Sequence, residues 1–322
     1  MVEQIPSDCK AVIVAPLNWG LGHATRCIPI IRQLIEKNIE VIIAGDGESL
    51  KLLQREFPHL ISESLPSYGV RYNGSTLVSI LAQNGLKVLT AMVKEKKKAK
   101  ALCQKYEPSL IISDSRFGFR CSNIRSVIIT HQLNLQCRNR WLKSVLDIFN
   151  TRILNAFDAC WVPDNEDRAL SGELSNNPKV RNQYFIGPLS RLNKVTPETK
   201  YAYDTAIILS GPEPARTRLE KRILKHFKSS QDRFCLVRGT EELPPIDLPT
   251  NWRIHNLASS QVINNILMDS AEIISRSGYT SIMDYAHLGI SAKLIPTPGQ
   301  TEQMYLAEYL DGKMGFSIWE QH

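Results

Sequence analysis

The sequence predicts an α/β protein of two doubly wound domains facing a cleft, and three observations predict it. The chain has 322 residues, too many for one ordinary core and about right for two domains of roughly 150 each. Short apolar runs rich in β-branched residues alternate with helical patterns, which implies right-handed crossovers and a mostly parallel sheet covered on both faces. That alternation breaks once, near Gly187, and then starts again. The expected division is an N-terminal domain over residues 1–187, a linker over 188–203 and a C-terminal domain over 204–322.

In the first half, AVIVAP (Ala11 to Pro16) reads as a strand, followed by a glycine turn and a helical pattern from His23 to Lys37. EVIIAG (Glu40 to Gly45), LIIS (Leu110 to Ser113), SVIIT (Ser126 to Thr130) and ACWV (Ala159 to Val162) continue the buried strands, and Leu77 to Tyr106 reads as one long helix. The stretch GPLSRLNKVTPETKYAYD from Gly187 has two prolines and no clear period, as a linker should. In the second half, strands are expected at Thr205 to Ser210, Arg233 to Val237, Trp252 to His255, Glu272 to Ser275 and Ala292 to Pro296. Helices between and after them are expected at Ala215 to Ser229, Ser259 to Asp269, Tyr279 to Leu288 and Gln303 to Lys313.

Composition excludes several classes. Hydrophobic residues make up 43% and charged residues 22%, the balance of a globular protein with a packed core rather than a disordered chain. No apolar run reaches the roughly 18 residues that cross a bilayer, and MVEQIPSDCK lacks the basic-then-apolar pattern of a signal peptide, so a cytoplasmic location is expected. The seven cysteines are scattered singly, without the spacing of a zinc site, and read as reduced core residues. The 39 basic against 32 acidic residues leave a net charge of +7, which suits an anionic ligand or an anionic membrane surface. Nucleic acid is set aside, because no recognition-helix signature or aromatic RNA-binding motif accompanies the charge. The run KEKKKAK (Lys94 to Lys100) reads first as a solvated helix face and second as a contact for acidic headgroups.

Chemistry is concentrated in turns that follow strands. In NWGLGHATR (Asn18 to Arg26), Gly20 and Gly22 let the backbone bend and approach a ligand, while the free amides of a helix start attract negative charge. The spacing is not that of the dinucleotide fingerprint GxGxxG, and Asp46 after the second strand does not restore it. His23 in this turn is the candidate general base, Arg26 one helical turn on joins Gly20 and Gly22 as a loop facing the acceptor or a phosphate, and Asp114 at the end of a later strand is the candidate to orient His23. In SRSGYTSIMDYAHLG (Ser275 to Gly289), Ser277 and Gly278 sit where amides and a hydroxyl cradle phosphate oxygens, Arg276 adds charge, and Asp284 can accept ribose hydroxyls. In PTPGQTEQ (Pro296 to Gln303), Glu302 and Gln303 at a helix start can bond sugar hydroxyls or serve the first turn. SGPEPAR (Ser210 to Arg216) can add amides from Ser210 and Gly211.

These four turns, in this order on two α/β halves, resemble the family 28 glycosyltransferases of bacterial cell-envelope synthesis, and the resemblance covers nearly the whole chain. GLGHATR looks like that family's glycine-rich GGH turn, THQLN (Thr130 to Asn134) resembles its HEQN segment, and GPLSR its NPVR. SGPEPAR is similar to its GGSQGAR, and the SRSG stretch with Asp284 and Gly289 to its CRSG stretch. Departures fall at Gln132, Met304, Pro212 and Pro214, and the prolines remove amides that a phosphate would use.

The resemblance implies two Rossmann-like domains in the glycosyltransferase B arrangement. It implies that Ser210, Gly211, Ser277 and Gly278 bind the donor diphosphate, Asp284 the ribose and Gln303 the donor sugar, while His23 acts on the acceptor. The implied activity is inverting, metal-independent transfer of an N-acetylhexosamine or hexose from a UDP-sugar to a hydroxyl, with no cofactor. A lipid-linked acceptor would add peripheral contact with the inner face of the membrane. Two rivals stand beside it. The pattern GxGHxxRC from Gly20 to Cys27 also resembles a UDP-sugar hydrolase of the pseudaminic acid pathway type, in which His23 activates water. The departures leave room for a non-catalytic nucleotide-sugar-binding protein.

Overall fold

The computed structural model describes residues 5, 8–69, 77–137, 139–194, 201–211, 213–240 and 249–319, with backbone only at 77–84 and 140. Residues 195–200 of the expected linker, and Pro212, lie outside the described residues. The chain divides into two compact units, Met1–Ser190 and Arg191–His322.

The first unit runs β1 (Ala11–Pro16), α1 (Leu21–Glu36), β2 (Glu40–Gly45), α2 (Gly47–Glu56), β3 (Ile61–Ser64), α3 (Leu77–Tyr106), β4 (Leu110–Asp114), β5 (Arg125–Ile129), α4 (Arg140–Leu154), β6 (Ala159–Val162) and β7 (Gln183–Phe185). Among the described residues these strands form one sheet in the order β3-β2-β1-β4-β5-β6-β7, every pair parallel. All of β1, β4 and β6 is buried, which is why these strands read as unbroken apolar runs rather than alternating ones. One core layer gathers Ile13, Ile42, Ile111 and Phe119 against Ala99 and Leu102 of α3.

The second unit repeats the plan with β8 (Tyr203–Ile208), α5 (Ala215–His226), β9 (Phe234–Val237), β10 (Trp252–His255), α6 (Ser260–Met268), β11 (Ser270–Arg276), α7 (Tyr279–Leu288), β12 (Ala292–Ile295), α8 (Thr301–Leu310) and β13 (Phe316–Ile318). Its parallel sheet has the order β10-β9-β8-β11-β12-β13. Phe234 stacks on Trp252 at 4.5 Å within a core that includes Leu219, Ile223 and Leu236.

Strand order reverses beside β1 in one sheet, where β2 and β4 lie on opposite sides, and beside β8 in the other, between β9 and β11. Doubly wound sheets bind ligands at such switch points, outside the carboxyl ends of the strands. The turns that leave β1, β4, β8 and β11 therefore occupy the positions where each unit can hold a ligand. Strand and helix limits follow the sequence pattern with small shifts. α1 begins at Leu21, which places His23 in the first helical turn, and α8 ends at Leu310 before Gly312 turns the chain with a φ of 73°. The pattern did not announce α2, α4 or the short edge strands β3, β7 and β13.

Candidate functional site

The turn after β1 is built by a glycine and braced from behind. Gly20 takes a φ of 101°, a left-handed value that a Cβ would strain, and Gly211 repeats the same φ of 101° in the turn after β8. Asn18 accepts from the Ser49 amide at 3.2 Å, and the Ser49 hydroxyl donates to the Leu17 carbonyl at 3.3 Å, so the start of α2 holds the turn. Beneath it the fully buried Arg116 donates to the carbonyls of Pro16 at 2.8 Å and Pro66 at 3.3 Å and to Glu95 at 2.7 Å, and it pairs with Asp46.

Register then brings chemistry to this turn. Pro16 of β1 lies beside Asp114 of β4, so the last residue of β4 emerges under the first turn of α1. His23 Nδ1 stands 2.8 Å from Asp114 Oδ1, with Asp114 wholly buried and the His23 ring 21% exposed. Arg26, one turn along the same face of α1, clamps both carboxylate oxygens of Asp114 through Nε and Nη2. Its Nη2 also lies 3.2 Å from Ser115 Oγ and 2.9 Å from His23 Nδ1. The Cys27 thiol donates to the other Asp114 oxygen at 3.7 Å.

The charges in this cluster follow from that geometry. Burial works to raise the Asp114 pKa, but the Arg26 guanidinium and the His23 ring outweigh it and hold the carboxyl well below the usual carboxylate range. Burial pushes the His23 pKa below its ordinary 6.5; the Asp114 charge pulls it upward, while Arg26 and His131 push it down further. Sequence pattern alone places His23 near the ordinary histidine value, and the structure moves it lower. Arg26, expected from sequence to face an anionic ligand, is turned inward and buried on Asp114.

In the second unit three turns are tied together. Arg276, at the end of β11, is buried and donates from Nη1 to the Pro296 carbonyl at 3.1 Å and from Nη2 to the Ala215 carbonyl at 3.0 Å. Burial, with some repulsion from Arg222, lowers its pKa to about 10. Ser277 donates its hydroxyl to the Gln303 carbonyl at 2.8 Å, and Gln303 Oε1 accepts from the Thr297 amide at 2.9 Å. These contacts bind the turn after β11 to the start of α5 and to the turn that opens α8. Ser210 and Gly211 lead into α5, Gly278 caps α7 without a side-chain hydrogen bond, Asp284 is buried on α7, and Glu302 is half-buried in the first turn of α8. Arg276, Ser277 and Gln303 thus spend side-chain hydrogen bonds on the protein itself.

Sequence reasoning missed the Arg116–Glu95–Tyr68 cluster, in which the Tyr68 hydroxyl donates to Glu95 at 2.7 Å. Glu95 lies inside the lysine run that reads as a solvated face, and only its place on the core side of α3 distinguishes it. In the second unit, Glu220 on α5 holds Arg216 at 3.0 Å and Arg238 at 3.2 Å, another buried cluster without a local signal.

Two doubly wound parallel sheets, each with a glycine turn at its switch point, define the glycosyltransferase B fold. No protein-family model matches the chain. The UDP-N-acetylglucosamine–N-acetylmuramyl-(pentapeptide) pyrophosphoryl-undecaprenol N-acetylglucosamine transferase of Lactobacillus helveticus is 20% identical over 319 residues, covering 90% of this chain and 80% of that enzyme. Among solved structures, the glycotransferase of kitacinnamycin superposes with a TM-score of 0.66 at 17% identity, covering 98% of this chain and 87% of its own. An Arabidopsis thaliana protein solved with UDP-L-rhamnose gives a TM-score of 0.62 at 12% identity, covering 97% and 85%. The chain thus has the glycosyltransferase B fold.

Proposed function

We propose that the protein is an inverting glycosyltransferase that moves an N-acetylhexosamine or hexose from a UDP-sugar to an acceptor hydroxyl. The observation that carries this is the His23–Asp114 pair, 2.8 Å apart at the switch point of the first sheet, in a chain whose relatives are named for sugar transfer from UDP. In the step proposed, the acceptor O–H gives its proton to His23, the freed oxygen bonds to the anomeric carbon of the donor, and the bond from that carbon to the diphosphate oxygen breaks. A single displacement inverts the anomeric centre. The diphosphate departs toward the amides at the N-termini of α5 and α7, whose dipoles supply the positive potential that a divalent cation supplies in other sugar transferases. Asp284 accepts the ribose hydroxyls, and Gln303 with Glu302 bonds the sugar.

A lipid-linked acceptor is supported by the surface of the first unit. On α4, Trp141 (87% exposed), Val145, Ile148 and Phe149 recur at helical spacing and face outward. On α3, Leu86, Leu89 and Val93 are exposed next to the exposed lysines Lys94, Lys96, Lys97 and Lys100. Apolar side chains flanked by lysines suit the headgroup region of an anionic membrane. Among the described residues no helix is long and apolar enough to cross a bilayer. The test measures UDP release from a panel of UDP-sugars with and without lipid-linked and soluble acceptors. Release only with an acceptor, accompanied by a glycosylated product, is the expected result. Equal release in water alone identifies a hydrolase instead.

A further inference from the structure

We infer that Cys103 and Cys121 are a preformed dithiol that a hydroperoxide closes to a disulfide. The pair lies outside the groups used in the proposed transfer, so it stands or falls independently of that reading. Cys103 is in the last turn of α3, and Cys121 is in the connection from β4 to β5. That connection is held to α3 at successive points. The Gly118 amide donates to Glu95 at 3.1 Å, and a Cβ on Gly118 would stand 2.3 Å from the Met92 carbonyl oxygen, so glycine is what lets the two backbones come this close. Phe119 is buried in the core layer that holds Ala99, Leu102 and Cys103, and Cys121 packs against the same layer. The Cys121 backbone is also tied to the start of β5: its amide donates to Ser126 Oγ at 3.2 Å, and its carbonyl accepts from the Ile124 amide at 3.4 Å. Both cysteines are free, and their thiols interact directly.

Exposure sets the order of reaction. Cys121 is half-buried, whereas Cys103 is 8% exposed. Burial pushes the Cys103 thiol up and the neighbouring Cys121 pushes it further, so Cys103 keeps its proton at neutral pH. The thiolate is the reactive form, and Cys121 is therefore oxidised first. Its sulfur takes one oxygen from the hydroperoxide, which leaves as an alcohol, or as water in the case of hydrogen peroxide, and Cys121 becomes a sulfenic acid. The Cys103 sulfur then bonds to the Cys121 sulfur as the S–OH bond breaks. The departing hydroxide takes the Cys103 proton and leaves as water. Two thiols have lost two hydrogens and two electrons to one peroxide. The ring so closed contains all of β4, with Asp114 and Arg116. Cys137, half-buried as well, is the control for exposure alone.

Peptide mapping of the reduced full-length protein after treatment with hydrogen peroxide tests this, with the remaining thiols blocked before digestion. Trypsin places Cys103 in ALCQK and Cys121 in CSNIR. The expected product is these two peptides joined, short of two hydrogens, and parted again by a reductant. The joined pair should dominate when the folded protein is oxidised and be diluted among other pairings when oxidation is done in denaturant. Cys103→Ala should leave Cys121 as a sulfenic acid that a dimedone reagent traps, and Cys121→Ser should leave the Cys103 thiol reduced. Because a closed ring constrains the unfolded chain, the oxidised protein should unfold at a higher denaturant concentration than the reduced one. If Cys103→Ala does not fold, the wild-type map and the Cys121→Ser variant still decide. Cys121 oxidised with Cys103 still free overturns the inference, as does Cys121 joined to Cys137. So does a pair that stays reduced under peroxide that modifies Cys137, or an oxidised form that unfolds at lower denaturant, since the bond would then strain the fold.

Discussion

The switch points of the two sheets use their charged residues in opposite ways. In the first unit, His23, Asp114 and Arg26 spend their charges on one another, and the product is an imidazole of lowered pKa braced by a buried ion pair. In the second, Arg276 and Ser277 spend theirs on carbonyls of neighbouring turns, and the product is a set of fixed loops around a helix N-terminus. The first arrangement suits moving a proton and the second suits holding an anion. Under the proposed function, two sheets of like topology divide the labour by what their turns do with side-chain donors, not by their folds.

The largest effect that can break this comparison is on rate. His23→Ala is expected to lower turnover by roughly 10² to 10⁴, the usual contribution of a general base, while nucleotide affinity measured by calorimetry stays within a few-fold. Lost nucleotide binding with an intact rate at saturating donor would make the first turn a phosphate cradle and erase the contrast.

Stability comes next. Asp114→Ala strands the buried Arg26 guanidinium, and breaking a buried pair from one side costs about 3 to 5 kcal/mol, readable by denaturant unfolding of the first unit. Because the folded-state pKa of Asp114 is depressed, its contribution is present above an ordinary aspartate value of about 3.9 and is lost as pH falls through the lower folded value. A destabilisation that persists undiminished in strong acid would contradict this account.

Asp284→Ala is expected to weaken UDP binding by about 1 to 3 kcal/mol, the range for lost hydrogen bonds in a buried site, with little change in rate at saturating donor. If affinity is unaltered, Asp284 does not belong to the site. Ser277→Ala removes the hydroxyl that holds the Gln303 carbonyl and should cost about 1 kcal/mol of stability. Thermal melting with and without UDP separates this from any loss of ligand contact.

The finest distinction is in pH. Since the His23 pKa is lowered in the folded protein, the acidic limb of kcat/KM should fall below about 6.5, the reference for a free histidine, and vanish in His23→Ala. A limb at or above that reference would mean that Asp114 dominates and that Arg26 does not shield it.

The sequence by itself determined most strands, most helices and the turns that matter, because each is a local signal. A buried parallel strand is a continuous apolar run, as in AVIVAP and ACWV, and a ligand turn shows its glycines directly after such a run, as in NWGLGH and SRSG. Helix α3 was legible over its whole span from Leu77 to Tyr106. Helix α4 carries the same kind of helical spacing at Trp141, Val145 and Ile148 and was passed over; what the spacing does not tell is that this stripe faces outward. What only the tertiary structure decided is which charges meet. His23 and Asp114 are 91 residues apart, and β1 beside β4 is what closes that distance. Arg26 reads as a ligand-facing charge until Asp114 rises beneath it, and Glu95 reads as one more solvated residue among lysines until Arg116 reaches it through the core. A charged residue carries no local mark of its partner, because pairing depends on strand order and register rather than on spacing along the chain.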